Sequence, residues 1–145
     1  MLLKLISIIE QVGREWNLRH PYGPRISIGD ISQQRGGAFP GHDAHRKGID
    51  ADIRYVITNS EGQLDFCSYD ACDSHRPGNY DEDSTRELIN LFLKYGVSSV
   101  LVDPLSNISG SKITQDGSYC GTWIPLEHKC SGDRRHSNHF HIQVP

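Results

Sequence analysis

The stretch IDADIRYVI, residues 49–57, alternates apolar and polar side chains with the period of a β-strand that buries one face. Asp50, Asp52 and Arg54 point one way, and Ile49, Ala51, Ile53 and Tyr55 point the other. The end of the chain repeats the pattern in HFHIQV, residues 139–144. There His139, His141 and Gln143 share one face, and Phe140, Ile142 and Val144 share the opposite one. Paired in one sheet, the two strands could bring Asp52 and His141 together, with His45 just upstream to complete a site. Alternation alone does not choose between Asp50 and Asp52.

Outward from these strands the chain reads as a series of short elements. MLLKLISIIEQVGREW, residues 1–16, places Leu2, Leu5 or Ile6, Ile9, Val12 and Trp16 at helical spacing. ISIGDIS, residues 26–32, reads as a short strand after a proline- and glycine-rich loop. NSEG, residues 59–62, turns the 49–57 strand towards QLDFC, residues 63–67, as a hairpin partner. Residues 33–48 and 68–83 read as glycine-rich or polar loops. STRELINLFLKYG, residues 84–96, predicts a helix. Ser84 and Glu87 form its capping box, Leu88, Leu91, Phe92 and Tyr95 its apolar face, and Gly96 its stop. VSSVLVDP, residues 97–104, follows as a strand ended by Pro104, and residues 105–135 read as irregular. The expectation is an α+β fold: a small central antiparallel β-sheet with flanking helices and long loops, in one domain over residues 1–145.

Composition narrows the possible functions. A net charge of -3 leaves no excess of Lys and Arg to neutralise phosphates, which argues against a nucleic-acid partner. A local basic rim near the histidines, including Arg35, Arg46, Lys47 and Arg54, suits a substrate that carries carboxylates. No run is long enough to span a membrane. Glu10 interrupts the N-terminal apolar region and no small-residue cleavage site follows, so a packed helix is expected there and no signal peptide. The cysteines Cys67, Cys72, Cys120 and Cys130 favour two local disulfides, Cys67 with Cys72 and Cys120 with Cys130. Disulfides place the working protein outside the cytosol. No obligate protein partner is evident.

Five of the eight histidines fall in two short segments, as His42 and His45 and then as His136, His139 and His141. Two imidazoles and one carboxylate make a common catalytic zinc set with one position open for water. Soft thiolates would suit a structural zinc, and an all-oxygen set magnesium or calcium. The HExxH helix of the common metalloproteases is absent.

The block IGDISQQRGGAFPGHDAHRKGIDADIRY, residues 28–55, resembles the signature of the penicillin-insensitive murein endopeptidases. These belong to a wider group with lysostaphin-type enzymes, D-Ala-D-Ala carboxypeptidases and the hedgehog signalling domain. The pattern is G-H-x-x-H-x-x-G-x-D-x-D followed near the C-terminus by H-x-x-H-x-H, and both blocks occur here in order. VLVDP, residues 100–104, resembles the family's central strand. Ala44 and Arg46 stand beside His45 where family members often carry Ser and Gln.

The resemblance implies one zinc ion per chain, held by His45, Asp52 and His141, and so selects Asp52 over Asp50. It implies that His139 is the general base or the stabiliser of the tetrahedral intermediate, and that His42 and His136 are further active-site histidines. Asp50 and Arg35 fall to substrate-binding or supporting roles. The implied activity is amide hydrolysis in peptidoglycan cross-link peptides, with D-Ala-diaminopimelate as the bond, in the periplasm or at the cell wall. The alternatives are a D,D-carboxypeptidase acting on stem peptides, and a hedgehog-like zinc module that binds without turnover.

Overall fold

A computed structural model describes residues 2–32, 48–67, 79–115, 118–119, 122–123 and 138–145. In chain order the elements are α1 (Leu2–Arg19), β1 (Ile28–Ile31), β2 (Asp50–Arg54), β3 (Val56–Thr58), β4 (Leu64–Phe66), α2 (Glu82–Lys94) and β5 (Ser99–Val102). A short 3-10 turn (Pro104–Ser106), β6 (Ile113–Gln115), β7 (Ser118–Tyr119), β8 (Thr122–Trp123) and β9 (His139–Gln143) follow. The fold is α+β.

The main sheet has five strands in the order β1-β2-β9-β5-β6. Its pairs are antiparallel except β5 with β6, which run parallel, so the sheet is mixed where the sequence suggested an antiparallel one. β6 is three residues long with two of them exposed, and so offers no alternation to read. It breaks the stretch 105–135 that composition suggested was irregular, as does the small β7–β8 pair.

β9 sits at the centre of this sheet with β2 on one side and β5 on the other. Its register with β2 pairs Ala51 with Ile142 and Ile53 with Phe140 on one face. On the other face it pairs Asp50 with Gln143, Asp52 with His141 and Arg54 with His139. A slip of one residue would set aspartates against Ile142 and Phe140, and the cost of burying unpaired charge in the core holds the register. The apolar face packs under the helices. The Phe140 ring lies 6.0 Å from that of Phe92 on α2 and 6.0 Å from that of Tyr55. β5 adds Val100 and Val102 to the same core.

α1 buries Leu5, Ile8, Val12 and Trp16, spaced three and four apart, with Leu2 and Ile9 packed at the margin. Ile8, and not the Ile9 expected from the spacing, is therefore the buried residue of this turn. α2 buries Leu88, Ile89, Leu91 and Phe92. It begins two residues before Ser84, and its N-cap is Asp81, whose Oδ1 accepts a hydrogen bond from Ser84 N at 2.9 Å. The capping box expected at Ser84 is therefore displaced, because an aspartate three residues upstream already satisfies that N–H. Gly96, at φ +108°, ends α2 as expected, since only glycine adopts that conformation at little cost.

The stretch 49–57 is split between two sheets. Tyr55 and Val56 are consecutive and both fully buried, which a strand with one buried face cannot satisfy. After Arg54 the chain bends, and β3 pairs with β4 in a separate hairpin. The Tyr55 hydroxyl accepts a hydrogen bond from Asp103 N at 2.9 Å, tying this bend to the end of β5.

Candidate active site

Gly48, at φ 73°, turns the chain into β2 in a conformation that favours glycine. From there, pleating sends Asp50 and Asp52 to the face of the sheet opposite the core, where they meet His141 of β9. His141 lies between the two aspartates. Its Nδ1 is 3.0 Å from Asp52 Oδ1 and its Nε2 is 3.0 Å from Asp50 Oδ1. Asp50, Asp52 and His141 are 2%, 5% and 6% exposed, so bulk water does not screen them.

A carboxylate only accepts hydrogen bonds, so an imidazole that serves both aspartates donates from both nitrogens and is an imidazolium. Burial opposes that charge. The hydrogen bonds and charges of Asp52 and then Asp50 outweigh it, and the His141 pKa is raised above its ordinary value of 6.5. Replacing the Nδ1 proton by a metal ion would keep the same ring position and leave Nε2–H donating to Asp50. A nitrogen and a carboxylate oxygen at this spacing are a donor set that fits zinc. Among the described residues no group of three His, Cys, Asp or Glu side chains completes a metal site. The third ligand expected from the sequence, His45, lies outside the described residues.

His139 shares this face and is partly buried. Its Nδ1 donates to Asn138 Oδ1 at 2.7 Å, and its Nε2 is 3.7 Å from Asp52 Oδ2. In a neutral ring with Nδ1 protonated, Nε2 is the nitrogen that accepts a proton. Asn138 therefore sets which nitrogen of His139 is basic.

Two further residues shape the site. Gln143 Nε2 donates to Asp50 Oδ1 at 3.1 Å, the same oxygen that faces His141. Gly29 of β1 lies beside Asp52, where an added Cβ would stand 3.4 Å from Asp52 Cβ and 3.7 Å from Arg54 Nη2. A glycine in a strand allows close approach of its neighbours, and here Asp52 and Arg54 pack against it. β1 also carries an irregularity between Ile28 and Ile31, set against Ile53 and Ala51. Gly29 within ISIGDIS was the available sequence signal for this close packing. Alternation placed Gln143 on the face of His139 and His141 but gave it no role, and Asn138 gave no signal, because an amide has no chemistry of its own that singles it out and only the register reveals what it contacts.

The structure thus brings together Asp50, Asp52, His139 and His141 of the residues singled out in the sequence. Arg35, His42, His45 and His136 lie outside the described residues, as do Cys72, Cys120 and Cys130. Cys67 is buried at the end of β4, and among the described residues no cysteine is free. No helix among the described residues is long and apolar enough to cross a membrane.

Residues 3–86, more than half of the chain, match the sequence pattern of the penicillin-insensitive murein endopeptidases. The chain belongs to that family. Membership implies murein endopeptidase activity, that is, a hydrolase acting on murein. The family match covers the first histidine–aspartate block and ends before HSNHFH, residues 136–141. In this chain the second block is joined to the first by the β2–β9 register, which sets His141 opposite Asp52. Comparison with curated proteins returns no match.

Proposed function

We propose that the protein is a zinc-dependent peptidase of one domain that hydrolyses amide bonds in peptidoglycan cross-link peptides, D-Ala-diaminopimelate being the bond cleaved. The observation that carries this reading is the buried pairing of Asp52 and His141 across β2 and β9 in a chain of the murein endopeptidase family. Asp52, His141 and His45 would hold the metal, one per chain. Bound zinc supplies a Lewis acid and a water whose pKa is lowered to roughly 7.

The chain's own groups do the rest. His139 Nε2 takes the proton from the attacking water and returns it to the leaving amine, a task suited to imidazole near neutral pH. The hydrogen bond from His139 to Asn138 keeps that nitrogen turned to the site. Asp50 holds His141 through Nε2, as carboxylates commonly do for metal-binding histidines. His42 and His136 contact the substrate, and Arg35 with its basic neighbours receives the carboxylates of the stem peptide. Location in the periplasm or at the cell wall, and disulfides that include Cys67, accord with a buried cysteine that is not a free thiol.

The test is digestion of purified murein with the zinc-loaded protein, followed by separation of the muropeptides. Loss of cross-linked dimers is expected, and a chelator should stop it. Dimers that persist while terminal D-alanine is released would make the protein a D,D-carboxypeptidase. Persistence of both would leave a zinc-binding module without turnover.

A further inference from the structure

Asp50 and Asp52 are the same functional group two residues apart on one strand face, and His141 touches both at 3.0 Å. Something must make one of them the partner that faces the metal and the other a support. We propose that Gln143 makes this choice: it is a positioning residue that commits Asp50 to holding the His141 ring, and so leaves Asp52 and His141 Nδ1 for the metal. The proposal rests on the zinc reading above.

Gln143 is the cross-strand partner of Asp50, and its Nε2 reaches Asp50 Oδ1 at 3.1 Å. That oxygen also takes the hydrogen bond from His141 Nε2. At 2% exposure Asp50 cannot draw on bulk water, so these two donors determine how its carboxylate lies. An amide can be reversed end for end, and its surroundings decide which end faces Asp50. Ser99, its partner on β5, places its hydroxyl 3.5 Å from Gln143 Oε1, which leaves Nε2 as the end turned to the carboxylate. The backbone is held as well, because Gln143 O accepts from both Ser98 N and Ser98 Oγ at 2.9 Å.

The chemical consequence follows from what each group can offer. A primary amide nitrogen does not ligate zinc, and an Asp50 oxygen that already accepts two hydrogen bonds is a poor ligand. With Nδ1 given to the metal, the remaining proton of the His141 ring would stand on Nε2, where Asp50 Oδ1 accepts it at 3.0 Å. Without the amide, Asp50 keeps only the hydrogen bond from His141, its carboxylate is held at one point instead of two, and the two aspartates become closer to equivalent.

The experiment uses the full chain with 15N-labelled histidine. Gln143→Met keeps the side-chain shape and removes the donor; Gln143→Glu, also near in shape, replaces it should the methionine variant not fold. Zinc affinity is read by competition with a chelator, and the protonation of each His141 nitrogen by long-range 15N–1H correlation spectra with and without zinc. The expected result is a fall in zinc affinity of about 10-fold, the lower end of the range for contacts that support metal ligands, because Gln143 acts one contact further out. It should come with faster water exchange or loss of the His141 Nε2–H signal. Unchanged affinity overturns the proposal, as does a fall in affinity with an unchanged His141 spectrum. If the parent protein binds no zinc, the zinc reading fails. The Nε2–H signal of the metal-free chain then still decides whether Gln143 orients Asp50 against His141.

Discussion

Asp52 and His141, 89 positions apart in the chain, are direct partners across β2 and β9, with Oδ1 and Nδ1 3.0 Å apart. Both stand on inner strands of the five-stranded sheet, β9 at its centre. Placement on neighbouring inner strands gives a pair the rigidity that a ligand set needs, because neither strand can shift without breaking ladders on both sides.

Asp52→Ala removes a proposed ligand outright. Its zinc affinity should fall by more than the roughly 10–100-fold that loss of a supporting contact costs. Equilibrium dialysis with metal analysis would measure this. Zinc bound as tightly as in the parent protein would show that Asp52 is not a ligand.

His139→Ala should separate metal binding from turnover. The imidazole contacts Asn138 and approaches Asp52 only at 3.7 Å, so its removal leaves the Asp52–His141 pair in place. Zinc content should be unchanged, while the rate of muropeptide release drops by about 10²–10⁴, the usual contribution of a general base. A variant that loses zinc as well would move His139 from base to ligand.

Phe140→Ala tests the mechanical link between the site and the core. This ring packs on Phe92 and Tyr55 from the strand that carries His139 and His141. Truncation should cost about 3–5 kcal/mol in urea unfolding, as deletion of a fully buried aromatic ring does.

The start of α2 gives a paired test. Asp81→Ala should destabilise the protein by about 1 kcal/mol, because Ser84 N loses its acceptor. Ser84→Ala should leave stability unchanged or raise it by a few tenths of a kcal/mol, because alanine is the better helix former. Equal effects in chemical denaturation would contradict the assignment of Asp81 as the cap.

The two helices are also joined by Lys94, whose Nζ lies 2.7 Å from Glu15 Oε1. The hydrogen bond from Lys94 is the main cause that holds the Glu15 carboxyl below its ordinary value of 4.5. A carboxylate depressed in the folded state stabilises the fold above its unfolded pKa, and this contribution disappears as the pH falls through the folded value. Glu15→Gln should therefore be slightly less stable than the parent near pH 7, with the gap closing in acid and in high salt. Denaturation curves at both pH values would check it; a gap that widens in acid would contradict the sign.

The faces of IDADIRY and HFHIQV were legible in the sequence because strand periodicity is a local property: neighbouring side chains alternate whatever the rest of the chain does. The same locality made α1, α2 and the Gly96 stop readable, since each depends on residues three or four positions apart. The sequence alone also carried the two histidine blocks. What it did not contain was the β2–β9 register that sets Asp52 against His141 and Gln143 against Asp50. Nor did it show the parallel β6, the bend at Tyr55, or Asp81 as the cap of α2. Each of these is decided by competition for burial and hydrogen bonds between segments distant in the chain. Alternation could place two aspartates on one face, but only an amide arriving from another strand gave them different partners.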